Sequence, residues 1–491
     1  MRVLFLLGVT AIVLVACSGG DGGGYRDSAP SGTPLPDDPE GLLAVALDTT
    51  FNGNAYLSFG ESEPAAVRAM GESGDQRYIA PLTDILRFWW LLSDETEEAT
   101  YTSLETLSGQ TYDDLAEEQL DWRWWSEWLS ERPEIEPPPG YGPWKGALFA
   151  KLVDFRLGSF IRDEGLTFLI RAEEIVWGGV RPDAILDLQE PPSIPASEAG
   201  YLGADERVFG VSINGESRAY PLRIMNSHEM ANDVVGGVHF ALAYCTLCGS
   251  GIVYATEVDG EVISFGTSGL LYRSNKLMYD RGTESLWVQF EGRPVVGPLA
   301  DSGLELEVLP VTLTTWRDWL ALHPDTTVLD LETGVYPSES YRAEDDPTSN
   351  YFDYRADPEP QFPTHGGSDL LPEKASVLGL SLDGASKAYP LALLGERKIA
   401  NDRVGDVDVV AIATDNGEGA RAYDREGLTF SDPETVEGML TVADDLGRRW
   451  QVAEDALVLL SDSSQELPRL ESRVTFWFNW FQFNPTTAVF E

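Results

Sequence analysis

The sequence predicts an α+β protein in which a Trp-rich helical N-terminal region precedes a β-rich body that contains one unit twice. Residues 208–244 and 377–413 align without a gap and are identical at 15 of 37 positions, whereas average composition gives about two or three identities. Both units end in a similar Trp-rich segment before a proline, at 316–330 and 477–491. Eight of the 14 tryptophans lie in the first 177 residues. These patterns predict a tandem duplication with a degenerate second copy.

The first 17 residues predict a lipoprotein signal peptide. Residues 3–16 form an apolar run that is shorter than the roughly 20 residues of a membrane-spanning helix. The run ends in Leu-Val-Ala-Cys, which is typical of a lipobox, with Cys17 as the lipidated residue. An ordinary signal peptide with a chance cysteine is the alternative. We therefore expect an extracytoplasmic protein that is held to the membrane by lipid. An aspartate directly after the lipidated cysteine favours retention at the inner membrane, and this chain has Ser18 there, so we expect the outer membrane or the cell surface.

Two segments precede the β-rich body. Residues 18–38 are rich in Gly, Ser, Asp and Pro and predict a flexible linker. Residues 39–200 predict helices, with apolar residues at helical spacing over 81–92 and 146–161 and a break at the three prolines 137–139. The tryptophans between 122 and 128 fit a helix core, and a carbohydrate-stacking surface is the alternative.

The body divides into a first β-rich repeat at 201–330, a connector at 331–375 and a second repeat at 376–491. Asn214-Gly215 and Asp383-Gly384 stand between β-type runs at equivalent positions and predict hairpin turns. The Trp-x-x-Trp segments predict short helices laid against the sheets. The connector is rich in Pro, Tyr and acidic residues, and we expect it to form an extended, ordered strap.

The charge balance excludes one class of partner. The chain has 81 acidic residues against 34 Lys and Arg, a formal net charge of −47. Such a surface repels phosphate backbones, so we expect no nucleic acid binding. The acidic surface fits either solubility in a salty environment or a cationic partner. The sequence does not show which protein partner or small-molecule ligand the protein binds.

The two copies differ at the positions of the histidines and cysteines, whose side chains could bind a metal or take part in catalysis. The first copy has His228, His239, Cys245 and Cys248, and the second has Arg397, Asp408, Thr414 and Gly417. What both copies share is expected to be scaffold. Any chemistry is therefore expected in the first copy.

Cys245 and Cys248 are the candidate centre. They stand three positions apart after a predicted strand and can converge on one metal ion or form a disulfide. The glycines that follow disfavour the helix that a thioredoxin-type motif needs. A structural zinc site needs a second pair of ligands, which is absent from the sequence. The leading hypothesis is a soft metal, copper ahead of zinc, with His228 as third ligand and Met278 or Met230 completing the set.

Two further segments of the first copy are candidates for the surroundings of the cysteines. The stretch from His228 to Asn232 resembles the start of a zinc-protease helix but lacks the second histidine. The corresponding segment of the second copy is shorter than residues 266–287 and unlike them in sequence, so these residues are interpreted as an insertion that walls the site. The wall residues named on this basis are Tyr272, Arg273, Asn275, Met278, Asp280 and Arg281.

Several motifs are similar to those of the bacterial family known as domain of unknown function 3179. They include "AYCTLCGSGIVY", "FGTSGLLYRSNKLMYDRGTESLW" and "TTWRDWLALHPDT", and the resemblance runs from about residue 170 to the C-terminus. His228, Glu229, Cys245 and Cys248 stand within its motifs. The resemblance implies no activity, because none is established for the family.

Two further functions stay open beside metal binding. The first is a thiol-dependent redox protein or enzyme, with Cys245 or Cys248 as nucleophile and His228 as base. The second is a non-catalytic surface or assembly module in which the cysteines form a structural disulfide. Whether the protein is an enzyme is not decided, because no complete set of nucleophile, base and orienting group stands at fixed spacing.

Overall fold

The computed structural model describes residues 35–491 apart from 37, 48, 53–55, 60–62, 112–120, 164, 415–416 and 437. The predicted signal peptide, the lipidation site Cys17 and most of the predicted linker therefore lie outside the described residues. In the part that is described, no helix combines the length and the apolar character needed to cross a membrane.

The N-terminal region is helical, with one small hairpin. Its elements are α1 (Pro39–Ala46), β1 (Thr49–Asn52), β2 (Tyr56–Phe59), α2 (Glu63–Glu72), α3 (Ile79–Leu86), α4 (Asp94–Ser108), α5 (Asp121–Ser130), α6 (Tyr141–Leu152) and α7 (Phe155–Ser159). Local chemistry sets the ends of α4. The Ser93 hydroxyl accepts a hydrogen bond from the backbone N–H of Thr96 at 3.1 Å, and Gly109 ends the helix with a φ of 69°.

The tryptophans of α5 pack inside this region. Trp122 and Trp125 are buried. Trp125 makes edge-to-face contacts with Trp124 and Trp128, with ring centroids 4.6 and 6.2 Å apart. Helix packing, and not an exposed stacking surface, accounts for these side chains.

The first unit contains three five-stranded sheets. Its strands, with those that lead into it, are β3 (Ile175–Trp177), β4 (Leu188–Gln189), β5 (Ser193–Pro195), β6 (Arg207–Ile213), β7 (Glu216–Pro221), β8 (Met230–Val235), β9 (Val238–Cys245), β10 (Ser250–Ala255), β11 (Glu257–Val258), β12 (Glu261–Val262), β13 (Phe265–Tyr272), β14 (Asn275–Asp280), β15 (Leu286–Val288), β16 (Arg293–Val296), β17 (Val308–Leu309), β18 (Thr312–Thr315) and β19 (Thr327–Leu329). The sheet orders are β17-β10-β9-β8-β4, β16-β15-β14-β13-β3 and β18-β6-β7-β19-β5, and β11 pairs with β12. Helix α8 (Leu222–His228) follows β7, and α9 (Trp316–Leu322) follows β18.

The second unit follows the connector, whose one α-helix in the described chain is α10 (Phe352–Ala356). Its elements are β20 (Ser376–Leu382), β21 (Ala385–Pro390), α11 (Leu391–Arg397), β22 (Ile399–Val404), β23 (Val407–Ala413), β24 (Ala420–Asp424), β25 (Phe430–Val436), β26 (Met439–Asp444), β27 (Arg449–Val452), β28 (Ala456–Leu459), β29 (Glu466–Pro468), β30 (Arg473–Phe476), α12 (Trp477–Phe483) and β31 (Ala488–Val489). The sheet orders are β30-β20-β21-β31, β22-β23-β24 and β25-β26-β27-β28-β29. Helices and several sheets together confirm the predicted α+β class.

Strand pairing in the two units follows the same order and register. Val208 pairs with Pro221 in the first unit, and Val377 pairs with Pro390 in the second. The turns between these strands have positive φ at both central residues, Asn214-Gly215 and Asp383-Gly384, as a two-residue hairpin requires. The helices α9 and α12 lie where the Trp-x-x-Trp segments predicted them.

One glycine in each unit is required by packing. A Cβ atom at Gly210 would lie 2.2 Å from the Trp319 ring, and a Cβ at Gly379 would lie 2.2 Å from the Trp480 ring. Each indole N–H is held by a threonine hydroxyl, at 3.0 Å in the first unit and 2.9 Å in the second. The short helix of each unit can therefore lie directly on its sheet.

Residues 266–287 are not an insertion, which corrects the interpretation made from the sequence. They form β13, β14 and the start of β15, and the second unit has the equivalent strands β25 to β27. The same anchor closes both sheets: the Trp287 indole donates to Asp280 at 3.1 Å, and the Trp450 indole donates to Asp444 at 2.9 Å. The sequences differ while the strand pairing is kept, because pairing depends on backbone groups.

The connector links all three parts of the chain. At its C-terminal half, Arg123 of α5 donates to the carbonyl oxygen of Pro360 at 2.5 Å. Its last residues accept backbone hydrogen bonds from α12, from Trp477 to Ala375 and from Phe478 to Glu373, both at 2.8 Å. The segment therefore holds the helical region and the second unit against the first.

Candidate functional site

The two cysteines lie at one hairpin end of the first unit. Strand β9 ends at Cys245, and the Cys248 N–H donates to the Cys245 carbonyl oxygen at 3.1 Å to close the turn before β10. The two Sγ atoms are 2.9 Å apart. Cys245 is 2% exposed and Cys248 is 0% exposed, and both are free thiols. The chain thus encloses a dithiol at a β-turn.

A second hairpin points its tip at this dithiol. Arg273 and Ser274, between β13 and β14, have φ values of 53° and 57°. Side-chain-bearing residues rarely adopt this conformation, and glycine or asparagine usually fills such a turn. The Ser274 carbonyl oxygen lies 3.3 Å from Cys248 Sγ and accepts its hydrogen bond. The Ser274 hydroxyl donates to the Pro363 carbonyl oxygen at 2.8 Å, which fixes the tip beneath the connector.

Two amides form one wall of the site. The Asn275 amide nitrogen lies 3.5 Å from Cys248 Sγ and 2.9 Å from the Gln289 side-chain oxygen. Gln289 in turn donates to the backbone oxygens of Ala243 and Ser250 at 2.8 and 3.2 Å. Because both amides are fully buried, these bonds hold their orientation and that of the strands that carry the cysteines.

A buried ion pair forms the opposite wall. The Lys276 ammonium donates to the Glu229 backbone oxygen at 2.8 Å and lies 3.6 Å from its carboxylate. The same carboxylate accepts from the Thr246 hydroxyl at 3.0 Å and from the Tyr351 hydroxyl at 2.6 Å. Glu229 ends α8 with a φ of 58°. The pair therefore joins the cysteine turn, the second hairpin and the connector.

Burial shifts the pKa values of Lys276 and Cys248. Desolvation lowers the pKa of Lys276 below its usual 10.5, and the negative charges of Glu229 and Cys245 oppose the shift. Desolvation raises the pKa of Cys248 well above that of a free thiol, and its hydrogen bond with Cys245 acts in the same direction. Cys248 is therefore held as a thiol, beside a lysine that releases its proton more easily than a free one.

The second unit has a different set of side chains at the same register. The strand pairings align Asn275, Lys276 and Gln289 with Met439, Leu440 and Val452. The aligned sequences place Glu229, Cys245 and Cys248 over Lys398, Thr414 and Gly417. Burying charged and amide groups in place of apolar ones costs free energy. The first unit accepts that cost around its thiols.

The site is covered by the other two parts of the body. Leu247, Phe476 and Phe478 pack against the cysteines. The Cys248 carbonyl oxygen accepts from the Phe476 N–H at 2.8 Å and from the Thr475 hydroxyl at 3.0 Å. From the connector, the Tyr354 hydroxyl donates to the Leu247 carbonyl oxygen at 2.6 Å. The thiols therefore lie at a junction between units.

The structure does not bring His228 into this group. Its ring nitrogens contact the Leu186 carbonyl oxygen at 2.5 Å and the Tyr341 hydroxyl at 2.7 Å, and its ring stacks on Tyr336. Desolvation lowers its pKa to about 4, so the imidazole is neutral. Across the described residues, no three His, Cys, Asp or Glu side chains are grouped so that they could hold a metal ion.

The other predicted residues have separate positions. Met278 and Met230 are buried in the main hydrophobic core, and His239 lies on β9 opposite Val234. Of the predicted wall residues, Asn275 reaches a thiol with its side chain and Arg273 supplies the turn backbone. Arg281 pairs with Asp183 and Asp187. Tyr272 packs against Phe483, with ring centroids 6.2 Å apart.

Sequence reasoning missed Lys276, Gln289 and Tyr351. The first two carried a usable signal, because Lys276 precedes the apolar run Leu277–Tyr279 and Gln289 directly follows the apolar strand Leu286–Val288. All six residues of β14 are in fact buried. Tyr351 carried no signal, since it lies 122 residues from Glu229 in the chain.

The fold and the site define an α+β protein with two β-rich units of similar strand pairing, the first of which encloses a dithiol beside a buried ion pair. The chain belongs to the family described as Protein of unknown function (DUF3179), whose model matches residues 182–487. This match confirms the family that the motifs indicated. No curated protein and no solved structure matches the chain.

Proposed function

We propose that Cys245 and Cys248 form a redox-active dithiol that a two-electron oxidation converts to a disulfide. The observation that carries this proposal is the 2.9 Å separation of the two Sγ atoms within a buried cluster whose Asn275, Lys276 and Gln289 correspond to Met439, Leu440 and Val452 in the second unit. A disulfide bond is about 2.05 Å long, so closing the bond needs a movement of less than about 1 Å. Two electrons pass to an acceptor, and the two thiol protons are released.

Lys276 and Cys245 have distinct roles in this proposal. Cys245 is the attacking thiol, because Cys248 keeps its proton through a raised pKa and the thiolate is the nucleophilic form. Lys276 is assigned as the acceptor of the Cys245 proton, because burial lowers its pKa and makes the amine form more accessible than in a free lysine. Cys248 then attacks the oxidised Cys245 and closes the disulfide. His228, first considered as the base, is replaced by Lys276 here because both of its ring nitrogens have partners.

Soft-metal binding at the same thiols is the second candidate. The observation that favours it is Lys276, whose positive charge would offset the net negative charge of Cu(I) held by two thiolates. Copper is preferred to zinc, because a structural zinc site needs four ligands. The ligand set is Cys245 and Cys248 alone, since His228 and Met278 have other contacts.

One experiment separates the two candidates. Protein purified without chelator is analysed for metal by mass spectrometry, and its thiols are counted after long equilibration at a series of dithiothreitol potentials, because this reagent is small and uncharged. The redox proposal expects a reversible two-electron transition in the wild type that is lost in Cys245→Ser and in Cys248→Ser. Stoichiometric copper that both substitutions abolish, without such a transition, would replace the redox proposal by the metal one.

We also propose that the protein is extracytoplasmic and lipid-anchored through Cys17. The apolar run at 3–16 and the lipobox support this location. Membrane fractionation of the wild type and of Cys17→Ser tests it: the wild type should sediment with membranes and the variant should not. The predicted location is overturned if both distribute alike.

A further inference from the structure

We infer that the oxidant of the dithiol is a small uncharged peroxide, of the class of hydrogen peroxide, and not a protein disulfide or glutathione disulfide. This inference rests on the proposed redox function and adds the substrate class. It follows from two observations: the cover over the thiols and the net charge of the protein.

The cover excludes bulky acceptors. Thiol–disulfide exchange requires the acceptor sulfur to contact the attacking Sγ, yet Cys245 and Cys248 are 2% and 0% exposed. The atoms above them belong to Phe476 and Phe478 and to the connector, where Tyr354 is bonded to Leu247. A polypeptide or glutathione would have to displace these groups. A molecule the size of hydrogen peroxide needs only a transient gap.

The net negative charge of the protein also disfavours glutathione disulfide as the oxidant. The chain carries a formal net charge of −47, so it repels anions such as glutathione disulfide and lowers their local concentration. Hydrogen peroxide is uncharged at neutral pH and is not repelled. Lys276, the buried lysine of this cluster, already pairs with Glu229 and offers little attraction to a second anion.

The groups at the site complete a balanced reaction. Lys276 as amine takes the proton of Cys245. The Cys245 thiolate attacks one peroxide oxygen, the O–O bond breaks, and the departing hydroxide takes a proton from the Lys276 ammonium to give water. Cys245 is then a sulfenic acid. Cys248 Sγ attacks it, the S–O bond breaks, and the hydroxide leaves as water with the Cys248 proton. Two thiols and one peroxide give one disulfide and two waters.

The test compares the folded protein with its own unfolded chain. The rate of thiol loss is measured with hydrogen peroxide and with glutathione disulfide, for reduced protein in buffer and in denaturant. The unfolded chain reports the intrinsic reactivity of the same two thiols. We expect folding to slow the reaction with glutathione disulfide by about a hundredfold or more, as for a group reached only by local opening, and to slow the peroxide reaction by less than about tenfold.

Two variants of the connector test whether its contacts over the thiols exclude glutathione disulfide. Tyr354→Phe removes the hydrogen bond to Leu247 and should raise the rate with glutathione disulfide. Tyr341→Phe removes a hydroxyl of the same connector that bonds His228 and Thr333, and it should leave the rate unchanged.

The outcomes are distinct. Equal protection against both oxidants, or faster reaction with glutathione disulfide, overturns the peroxide inference while leaving the dithiol proposal in place. If no oxidant closes the disulfide in folded protein, the proposed function itself fails.

Discussion

The ammonium of Lys276 donates a 2.8 Å hydrogen bond to the backbone oxygen of Glu229, whose side chain is bonded to the cysteine turn and to the connector. The second unit has Leu440 at the register position of Lys276. An apolar side chain therefore satisfies this fold, so packing alone does not require a charge at this position.

Replacing Lys276 by the residue of the second unit should alter thiol chemistry. In Lys276→Leu the Cys245 thiol loses its proton acceptor and the nearest positive charge. We expect the pH midpoint of thiol loss to hydrogen peroxide to rise by about one unit. Lys276→Arg keeps the charge and should shift the midpoint less. Lys387→Leu, which breaks an ion pair with Asp402 in the second unit, is the control, and an unchanged midpoint in Lys276→Leu would contradict the role given to this lysine.

Gln289→Val introduces the second unit's residue at the amide wall. The change leaves the Asn275 amide and the Ala243 carbonyl oxygen buried without their partner. We expect a loss of about 2–4 kcal/mol in the free energy of unfolding, measured by urea denaturation. Val452→Ala, at the matched position, removes only apolar contacts and serves as the comparison. A Gln289→Val protein as stable as the wild type would show that the amide wall is not structurally required.

Gly210→Ala should destabilise the first unit through overpacking. The added methyl group would lie 2.2 Å from the Trp319 ring, so the helix must move off the sheet. We expect a loss of about 1–3 kcal/mol, and the same for Gly379→Ala against Trp480. Gly200→Ala meets no atom within 4 Å and should be close to neutral. The expectation fails if all three variants unfold at the same urea concentration.

His228 should make stability fall with acid. Its folded pKa of about 4 lies below the usual 6.5 because of desolvation, so folding favours the neutral ring. The contribution is therefore fully present above pH 6.5 and is lost as the pH falls through about 4. The shift corresponds to about 3 kcal/mol. Urea denaturation of the wild type and of His228→Gln at several pH values between 7 and 4 should give a smaller slope in the variant, whereas equal slopes would mean that His228 keeps an ordinary pKa.

Local sequence patterns were sufficient to predict the hairpins, the short helices and the pair of cysteines. The turn at Asn214-Gly215, the glycine pairs and the Trp-x-x-Trp segments specify backbone geometry within a few residues, and the hairpins and short helices lie where these signals stand. The α+β class followed from the same signals. Residues 266–287 were misread as an insertion, because strand pairing is fixed by backbone hydrogen bonds and can be kept where the side chains differ. The short strands between 175 and 195, in the segment predicted helical, were also missed.

The sequence by itself determined the family, the fold class and which cysteines to examine, because these depend on residue types at short spacing. Only the tertiary structure decided what surrounds the thiols. Lys276 and Tyr351 reach Glu229 from elements 47 and 122 residues away, and the bond to Tyr341 across 113 residues occupies His228 instead. Such contacts arise when separate elements share one core, and spacing along the chain carries no record of them.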